Sequence, residues 1–313
     1  MKINFKDIKA IEKEIKNNYL KIQYQPTFWC NYKCFYCIQG VNSDKRKLTP
    51  KEKVYKTAEK IADKLNYYNG SLLLTIVGGE VTIPYDIKEI AEPFLKLNLK
   101  NFKLSIITNL SNSLEYYINL LNYCNKNKID LRLNASYHYS DFDIFYNKVK
   151  KLNTLKNNLV SIKIILTNLP KINNIDPFEA YDKLNKISKV DLVIGRIPNT
   201  KNNFFNINSK KLADRKIEKN KYSIITNKEK IYIENLHNIK EHLNENIPYI
   251  SFKGFVCEPD SLTIDAEERI SYGSCKMRMY ETSLDSLADL KPFPKLCQID
   301  GCPLCSINKL ERL

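Results

Sequence analysis

The sequence predicts an α/β protein whose larger part is a partial (β/α)6, TIM-like barrel. Apolar, β-rich runs of strand length alternate with amphipathic segments of helix length, and this alternation continues until about Arg196. Such alternation implies parallel strands joined by right-handed crossovers. Because chemistry in these sheets gathers at the C-terminal ends of the strands, residues that follow each strand are candidates for function.

Six strands and five helices make up the predicted barrel. The strand candidates are residues 22–28, 72–77, 102–107, 130–136, 160–166 and 191–196. The helical patterns between them are residues 50–65, 87–97, 114–125, 142–152 and 177–187. We also expect residues 1–20 to form a helix before the first strand.

The C-terminal third breaks this pattern. Residues 198–221 are polar and rich in Asn and Lys, which is typical of a long loop. A hairpin at 222–233 and a polar helix at 234–246 precede a cysteine-rich tail. We therefore predict a core domain at residues 1–225 and a small cysteine-rich extension of β-hairpin and helix at 226–313.

Composition favours a soluble, cytoplasmic protein. The N-terminus is charged and lacks the apolar region of a signal peptide, and no apolar stretch approaches the roughly 20 residues of a membrane span. Nine cysteines in that compartment are typical of metal ligands or core residues rather than disulfides.

The net charge of +15 has two interpretations. It matches an anionic partner, such as nucleic acid, an acidic electron carrier or an anionic substrate. It also matches a composition crowded with Lys, Asn, Ile and Tyr, in which the lysines are spread evenly. Since the sequence has no dense basic block and no recognisable nucleic-acid module, we expect no nucleic-acid partner and no membrane partner.

Three cysteines follow the first predicted strand. Cys30, Cys34 and Cys37 have the spacing C-x3-C-x2-C. Three thiolates can hold three irons of a 4Fe–4S cluster, which leaves the fourth iron without a protein ligand. A structural zinc site needs a fourth protein ligand, and none lies nearby in the sequence, so a zinc knuckle completed from elsewhere is the alternative.

The segment CNYKCFYC resembles the cluster motif of the radical S-adenosylmethionine (SAM) superfamily, with Tyr36 as the aromatic residue before the third cysteine. The resemblance implies that SAM chelates the open iron through its amino and carboxylate groups. It also implies that an electron from the cluster breaks a C–S bond of SAM, which yields methionine and a 5′-deoxyadenosyl radical. The cofactor supplies this chemistry, and the protein orients it and excludes water.

The ends of the later strands carry the residues that the same resemblance assigns to SAM or substrate. The sequence Gly78-Gly79-Glu80 resembles the family's GGE motif, which binds the SAM amino group. His138 is a candidate acid or base facing the substrate, and a structural hydrogen-bonding role is its alternative. The further candidates for contacts with SAM or substrate are Thr108, Asn109, Ser136, Asn168 and Arg196.

The tail resembles the twitch type of radical SAM extension, a shortened relative of the SPASM domain. By that resemblance one auxiliary 4Fe–4S cluster is held by Cys257, Cys275, Cys302 and Cys305. The hairpin turn lacks the usual glycine and Cys297 is a fifth thiol, so the ligand set is open at that position. Thiolates serve iron and zinc alike, and the metal is therefore also open.

These features predict a radical SAM oxidoreductase that abstracts hydrogen from a small-molecule or peptide substrate. The auxiliary cluster would relay an electron, and a flavodoxin or ferredoxin would reduce the enzyme. One alternative is a radical SAM enzyme that modifies tRNA, and another is a non-enzymatic iron–sulfur or zinc protein that binds RNA. Formation of 5′-deoxyadenosine from SAM separates the enzymes from the non-enzymatic alternative.

Overall fold

A computed structural model describes most of the 313-residue chain. The described residues are 4–13, 19–34, 37, 47–138, 140–166, 175–194, 222–227, 229–233, 239, 243, 255–259, 261–272, 282–290, 295–296 and 307–312. The chain divides into two compact units. The larger unit contains Ile22–Ile207 and Asp265–Glu268, and the smaller contains Met1–Lys21, Asn208–Ile264 and Arg269–Leu313.

The described residues of both units form the strands and α-helices given below, and strands alternate with helices in the larger unit. The strands are β1 (Ile8–Lys13), β2 (Tyr19–Gln25), β3 (Ser71–Ile76), β4 (Asn101–Thr108), β5 (Asp130–Tyr137), β6 (Val160–Leu166), β7 (Lys189–Ile194), β8 (Tyr222–Thr226), β9 (Lys230–Ile233), β10 (Phe255–Pro259), β11 (Leu262–Asp265), β12 (Arg269–Tyr272), β13 (Thr282–Ser283), β14 (Lys295–Leu296) and β15 (Ile307–Arg312). The α-helices are α1 (Lys51–Asp63), α2 (Ile87–Ala91), α3 (Leu114–Lys126), α4 (Phe142–Leu155) and α5 (Pro177–Leu184).

The sheet of the larger unit has the strand order β2-β3-β4-β5-β6-β7. The pairs from β3 to β7 are all parallel and in regular register. The six predicted strands and five predicted helices are therefore confirmed, and apart from the end of the second helix their ends are displaced by at most three residues. The predicted helix at 87–97 is divided between α2 and a 3-10 turn at Glu92–Lys96.

Side-chain caps explain where four of the helices begin. Asp86, Ser113, Asp141 and Asp176 each accept a hydrogen bond from a backbone N–H in the first turn of the following helix. A cap of this kind satisfies a donor that the helix itself leaves unpaired. The strand-to-helix connections end at these residues, which keeps the loops after β4 and β5 short and close to the strand ends.

The two faces of the parallel sheet differ in polarity. Alternate residues of β5 (Leu131, Leu133, Ala135 and Tyr137) are buried, as expected for a face covered by helices. The intervening side chains of this strand and its neighbours form a polar face that is only partly buried, except at the buried Ser105. This polar face consists of Lys103, Ser105, Arg132, Asn134, Ser136, Ser161, Lys163 and Asp191.

The N-terminal segment differs from its prediction. Ile8–Lys13 is the strand β1 instead of part of a helix, and it pairs antiparallel with β15 on one side and β8 on the other. Pairing with a strand about 300 residues away overrides the local, charged pattern that favoured a helix. This N-terminal strand lies within Met1–Lys21, which belongs to the smaller unit.

The smaller unit contains a sheet with the order β14-β10-β15-β1-β8-β9. The predicted hairpin at 222–233 is present as β8 and β9. The tail also contains a hairpin, formed by β11 and β12, whereas β10 pairs with β14 and β15. The predicted loop at 198–221 and all but Ile239 and Leu243 of the predicted helix at 234–246 lie outside the described residues.

Across the described ranges, no helix has both the length and the apolar character that crossing a membrane requires.

Candidate functional site

The three cysteines all lie in the loop that follows β2. Cys30, Cys34 and Cys37 are all half-buried, and the Cys37 N–H donates to the Cys34 carbonyl at 3.0 Å. Burial raises the pKa of the Cys30 thiol, the Tyr32 N–H lowers it, and charge on Cys34 or Cys37 raises it. A thiol in this setting ionises most readily when a metal binds it.

The GGE turn after β3 is joined to this cysteine loop by the backbone. The Gly79 N–H donates to the Thr27 carbonyl at 3.1 Å, and the Glu80 N–H donates to the Trp29 carbonyl at 2.9 Å. A β-carbon at Gly79 would overlap that same Trp29 carbonyl, so only glycine fits. Glycine at this position therefore allows the backbone of the GGE turn to pack closely against the backbone at Trp29.

Glu80 has its carboxylate enclosed by donors of the chain itself. Its side chain is 1% exposed, and Oε1 accepts from the Thr82 N–H at 3.1 Å, the Thr82 hydroxyl at 2.6 Å and the Thr108 hydroxyl at 2.9 Å. Oε2 accepts from the Asn109 N–H at 2.6 Å. Burial raises the pKa of Glu80, and these four donors oppose that rise. Three of these donors contact Oε1 and one contacts Oε2.

The two threonine hydroxyls that contact Glu80 are themselves in contact with a buried tyrosine. The Tyr117 hydroxyl, from α3, is 3.2 Å from the Thr82 hydroxyl and 3.1 Å from the Thr108 hydroxyl. Burial raises the pKa of Tyr117, which therefore stays protonated. Sequence analysis did not predict Thr82 or Tyr117. The position of Thr82, two residues after the GGE motif, is a signal that could have identified it. Nothing in the helical pattern distinguishes Tyr117.

The loop after β4 contacts the cysteine loop through side chains. Asn109 is 6% exposed, and its Nδ2 donates to the Asn31 Oδ1 at 2.9 Å and approaches the Cys30 sulfur at 4.0 Å. The Asn31 Nδ2 donates to the Ser111 hydroxyl at 3.0 Å. Asn31 and Ser111 were also missed, because a polar residue inside a cysteine motif or in the loop after a strand carries no signal of its own.

Lys148 of α4 holds the same loop from the other side. Its Nζ donates to the carbonyl oxygens of Leu110 at 2.7 Å and Asn112 at 2.6 Å. Leu110 has a φ of 57°, an unusual conformation for a residue with a side chain. Burial lowers the pKa of Lys148, while the charge of Glu80 raises it.

His138 follows β5 and faces the cysteine loop. Its ring meets that of Tyr32 edge-on, with centroids 6.0 Å apart. Burial lowers the pKa of His138 to about 4, so the imidazole is neutral near pH 7 and can donate or accept a hydrogen bond. Ser136, two residues earlier, is half-buried on the polar face and opposite Lys163.

A cavity of about 250 Å³ opens beside the cysteine loop. The cysteine loop, the loop after β4 and the start of α4 line it. Its polar lining residues are Asn31, Tyr32, Asn109, Ser111, Ser140, Asp141 and Lys148.

The other predicted site residues lie outside the described residues, with one exception. Tyr36, Asn168, Arg196, Cys275, Cys302 and Cys305 are among those outside, as is Cys297. Cys257 is described and lies half-buried in β10. Within the described ranges, no three His, Cys, Asp or Glu side chains meet at a point that a single metal ion could occupy.

The fold and the site define a class of protein: an α/β protein with a three-cysteine loop after the first strand of a largely parallel sheet. The model of the radical SAM superfamily matches residues 24–184, just over half of the chain. The chain belongs to the radical SAM superfamily. Membership implies an enzyme that uses SAM and a 4Fe–4S cluster.

Two solved structures illustrate the similarity of the fold, and one of them contains bound AdoMet. The native anSMEcpe with bound AdoMet is 12% identical, with a TM-score of 0.52 over 86% of this chain and 79% of that one. SuiB of Streptococcus suis is 15% identical, with a TM-score of 0.51 over 85% of this chain. This chain spans 62% of SuiB. None of the curated proteins compared with the sequence matches it.

Proposed function

We propose that this protein reductively cleaves SAM and uses the resulting 5′-deoxyadenosyl radical to abstract hydrogen from a substrate, as an oxidoreductase. The observation that carries the proposal is the pair of backbone hydrogen bonds that join the cysteine loop to the GGE turn. These bonds support the proposal, because they hold the GGE turn against the segment that leads into the three cysteines. The donor set, three half-buried thiols in one loop, fits a 4Fe–4S cluster held by Cys30, Cys34 and Cys37.

The SAM-binding residues of this proposal are Gly78, Gly79, Glu80 and Ser136. When bound to the open iron of the cluster, SAM supplies the radical chemistry, and the chain has to bind and orient it. The GGE turn stands next to the cysteine loop, and Ser136 is half-buried at the C-terminal end of β5. We assign Thr108 to the support of Glu80, because its hydroxyl is buried and donates to that carboxylate.

The polar face of the sheet supports a polar substrate. Lys163 and Asp191 are exposed on this face and lie opposite each other on β6 and β7, and Lys163 also lies opposite Ser136. Side chains of this kind suit a substrate with hydroxyl, amide or charged groups, which includes both a small molecule and a peptide. The similar structures include SuiB bound to the precursor peptide SuiA, which favours the peptide.

We also propose that Cys257, Cys275, Cys302 and Cys305 hold an auxiliary 4Fe–4S cluster. A substrate that has lost a hydrogen atom is a radical, and it must lose or regain an electron to become a product. A cluster with four protein thiolates would serve as a relay for that electron. A flavodoxin or ferredoxin is the proposed source of the electron that starts each turnover.

The experiment compares SAM cleavage in wild-type protein and in a variant with Cys30, Cys34 and Cys37 all changed to Ala. Anaerobically reconstituted wild-type protein should form 5′-deoxyadenosine with dithionite, and the triple variant should form none. Two four-iron clusters require about eight irons, and the variant should keep about four of them. Cys124→Ala is the matched control, because Cys124 is buried in α3 outside the loop and its loss should preserve cleavage. Cleavage by the triple variant would refute the assignment.

A further inference from the structure

The sulfur of Cys30 stands among three polar neighbours. The Tyr32 N–H donates to it at 3.3 Å, and the Asn109 Nδ2 lies 4.0 Å away with donor geometry. The thiol itself points to the Asn31 Oδ1 at 3.8 Å. A metal-bound cysteine is a thiolate without this proton, so the sulfur then only accepts. The two N–H donors are the contacts that survive the change.

Asn109 is held in place at both ends of its side chain and through its backbone. Its Nδ2 donates to Asn31 at 2.9 Å, and its Oδ1 accepts from the Ser111 N–H at 2.9 Å and from the Ser111 hydroxyl. Asn31 in turn donates to the Ser111 hydroxyl, which closes a ring of three side chains. The backbone N–H of Asn109 is fixed by Glu80 at 2.6 Å.

We infer that Asn109 is a donor to the Cys30 thiolate that raises the reduction potential of the SAM-binding cluster, with Asn31 and Ser111 as its positioning residues. The inference rests on the proposed function. Reduction adds negative charge to the cluster and its thiolates, and an N–H donor stabilises the more negative state more strongly. Groups one step removed from a metal tune it by fixing the groups that touch its ligands. Asn109 thereby acts on the cluster, whereas the family resemblance pointed to SAM.

The test is an anaerobic redox titration followed by electron paramagnetic resonance on reconstituted wild-type, Asn109→Ala and Asn31→Ala proteins. The signal that changes on addition of SAM identifies the cluster at Cys30, Cys34 and Cys37. In Asn109→Ala the equilibrium constant for reduction should fall about three- to tenfold, and tenfold corresponds to about 59 mV for one electron. Asn31→Ala should lower it less, and because Asn31 is exposed, this variant tests the inference even if Asn109→Ala folds poorly.

A double variant and a matched control complete the design. Asn31→Ala combined with Asn109→Ala should have the potential of Asn109→Ala alone, because a residue that acts through another has no effect in its absence. Asn134→Ala removes an amide that bonds Ser105 and Ser161 on the sheet, and it should leave the potential unchanged. Wild-type potentials in both single variants, or additive shifts in the double variant, would overturn the inference and leave the proposed function intact. A wild-type protein with no SAM-sensitive signal would overturn both.

Discussion

At the scale of single residues, Glu80 has a property that distinguishes it from a simple ligand. Each carboxylate oxygen accepts from a backbone N–H, Oε1 from Thr82 and Oε2 from Asn109. Backbone donors cannot reverse their direction. The carboxylate therefore connects the end of β3 to the end of β4, whether or not it also accepts from the amino group of SAM.

Glu80→Gln should lower the free energy of unfolding by about 1–3 kcal/mol. Whichever oxygen becomes the amide NH2 then faces a backbone donor in a buried site. Urea unfolding measures this loss, and Glu89→Gln, at an exposed position of α2, should change stability by less than about 0.5 kcal/mol.

If Glu80 also binds SAM, the affinity of Glu80→Gln for SAM should fall about tenfold to a hundredfold. Reduced stability with unchanged affinity would limit Glu80 to its connecting role.

His138 should make the protein less stable in mild acid. Its pKa is lowered from 6.5 to about 4 by burial, so between these values the unfolded chain binds a proton that the folded chain does not. The stability from this group is complete above about pH 6.5 and is lost as the pH falls toward 4. At about pH 5.5 the loss is roughly 1.4 kcal/mol. Urea unfolding of metal-free protein at about pH 7.5 and 5.5 should show a smaller decrease in His138→Gln, and equal decreases would contradict this.

At the scale of elements, Lys148 shows how a helix shapes a functional loop. α4 packs beside α3, and its lysine reaches back to two carbonyls of the loop after β4. The same loop carries Asn109 and Ser111. An ammonium group that neutralises two carbonyl dipoles can hold Leu110 at its positive φ, a conformation that most residues avoid.

Lys148→Met should lower the free energy of unfolding by about 1–2 kcal/mol. The substitution keeps most of the apolar stem and removes the charged donor, and the half-buried position limits the effect through solvent screening. Lys151→Met is the matched control, because Lys151 lies exposed on the same helix, and its stability should match wild type. Urea denaturation of the three proteins is the measurement, and equal losses in both variants would refute a specific role for Lys148.

At the scale of the whole molecule, the charge of +15 is the property that concerns partners. If it binds an acidic flavodoxin or ferredoxin, turnover with that reductant should fall steeply as salt rises, because ions screen charges over about 8 Å at physiological ionic strength. Dithionite-driven turnover is the control and should change little. Initial rates of 5′-deoxyadenosine formation over a salt series measure both. Equal salt dependence would favour the purely compositional explanation of the charge.

The sequence by itself determined the features that depend on local pattern. Strand–helix alternation indicated β2 to β7 and the five helices, and the spacing of Cys30, Cys34 and Cys37 indicated the cluster loop. The GGE motif was recognised at the end of β3. These features are visible because periodicity and motif spacing are properties of neighbouring residues.

Only the tertiary structure decided which distant residues meet. The N-terminal segment became a strand because β15 and β8 flank it, and it belongs to the smaller unit. Hydrogen bonds likewise join residues up to 78 positions apart in the sequence. They include the bond between Asn31 and Asn109, the bonds that Glu80 accepts and those that Lys148 donates. Such contacts follow from how strands and helices pack, and no local preference encodes them. The fold thus supplies the hydrogen-bonding environment of a motif, whereas the sequence supplies the motif.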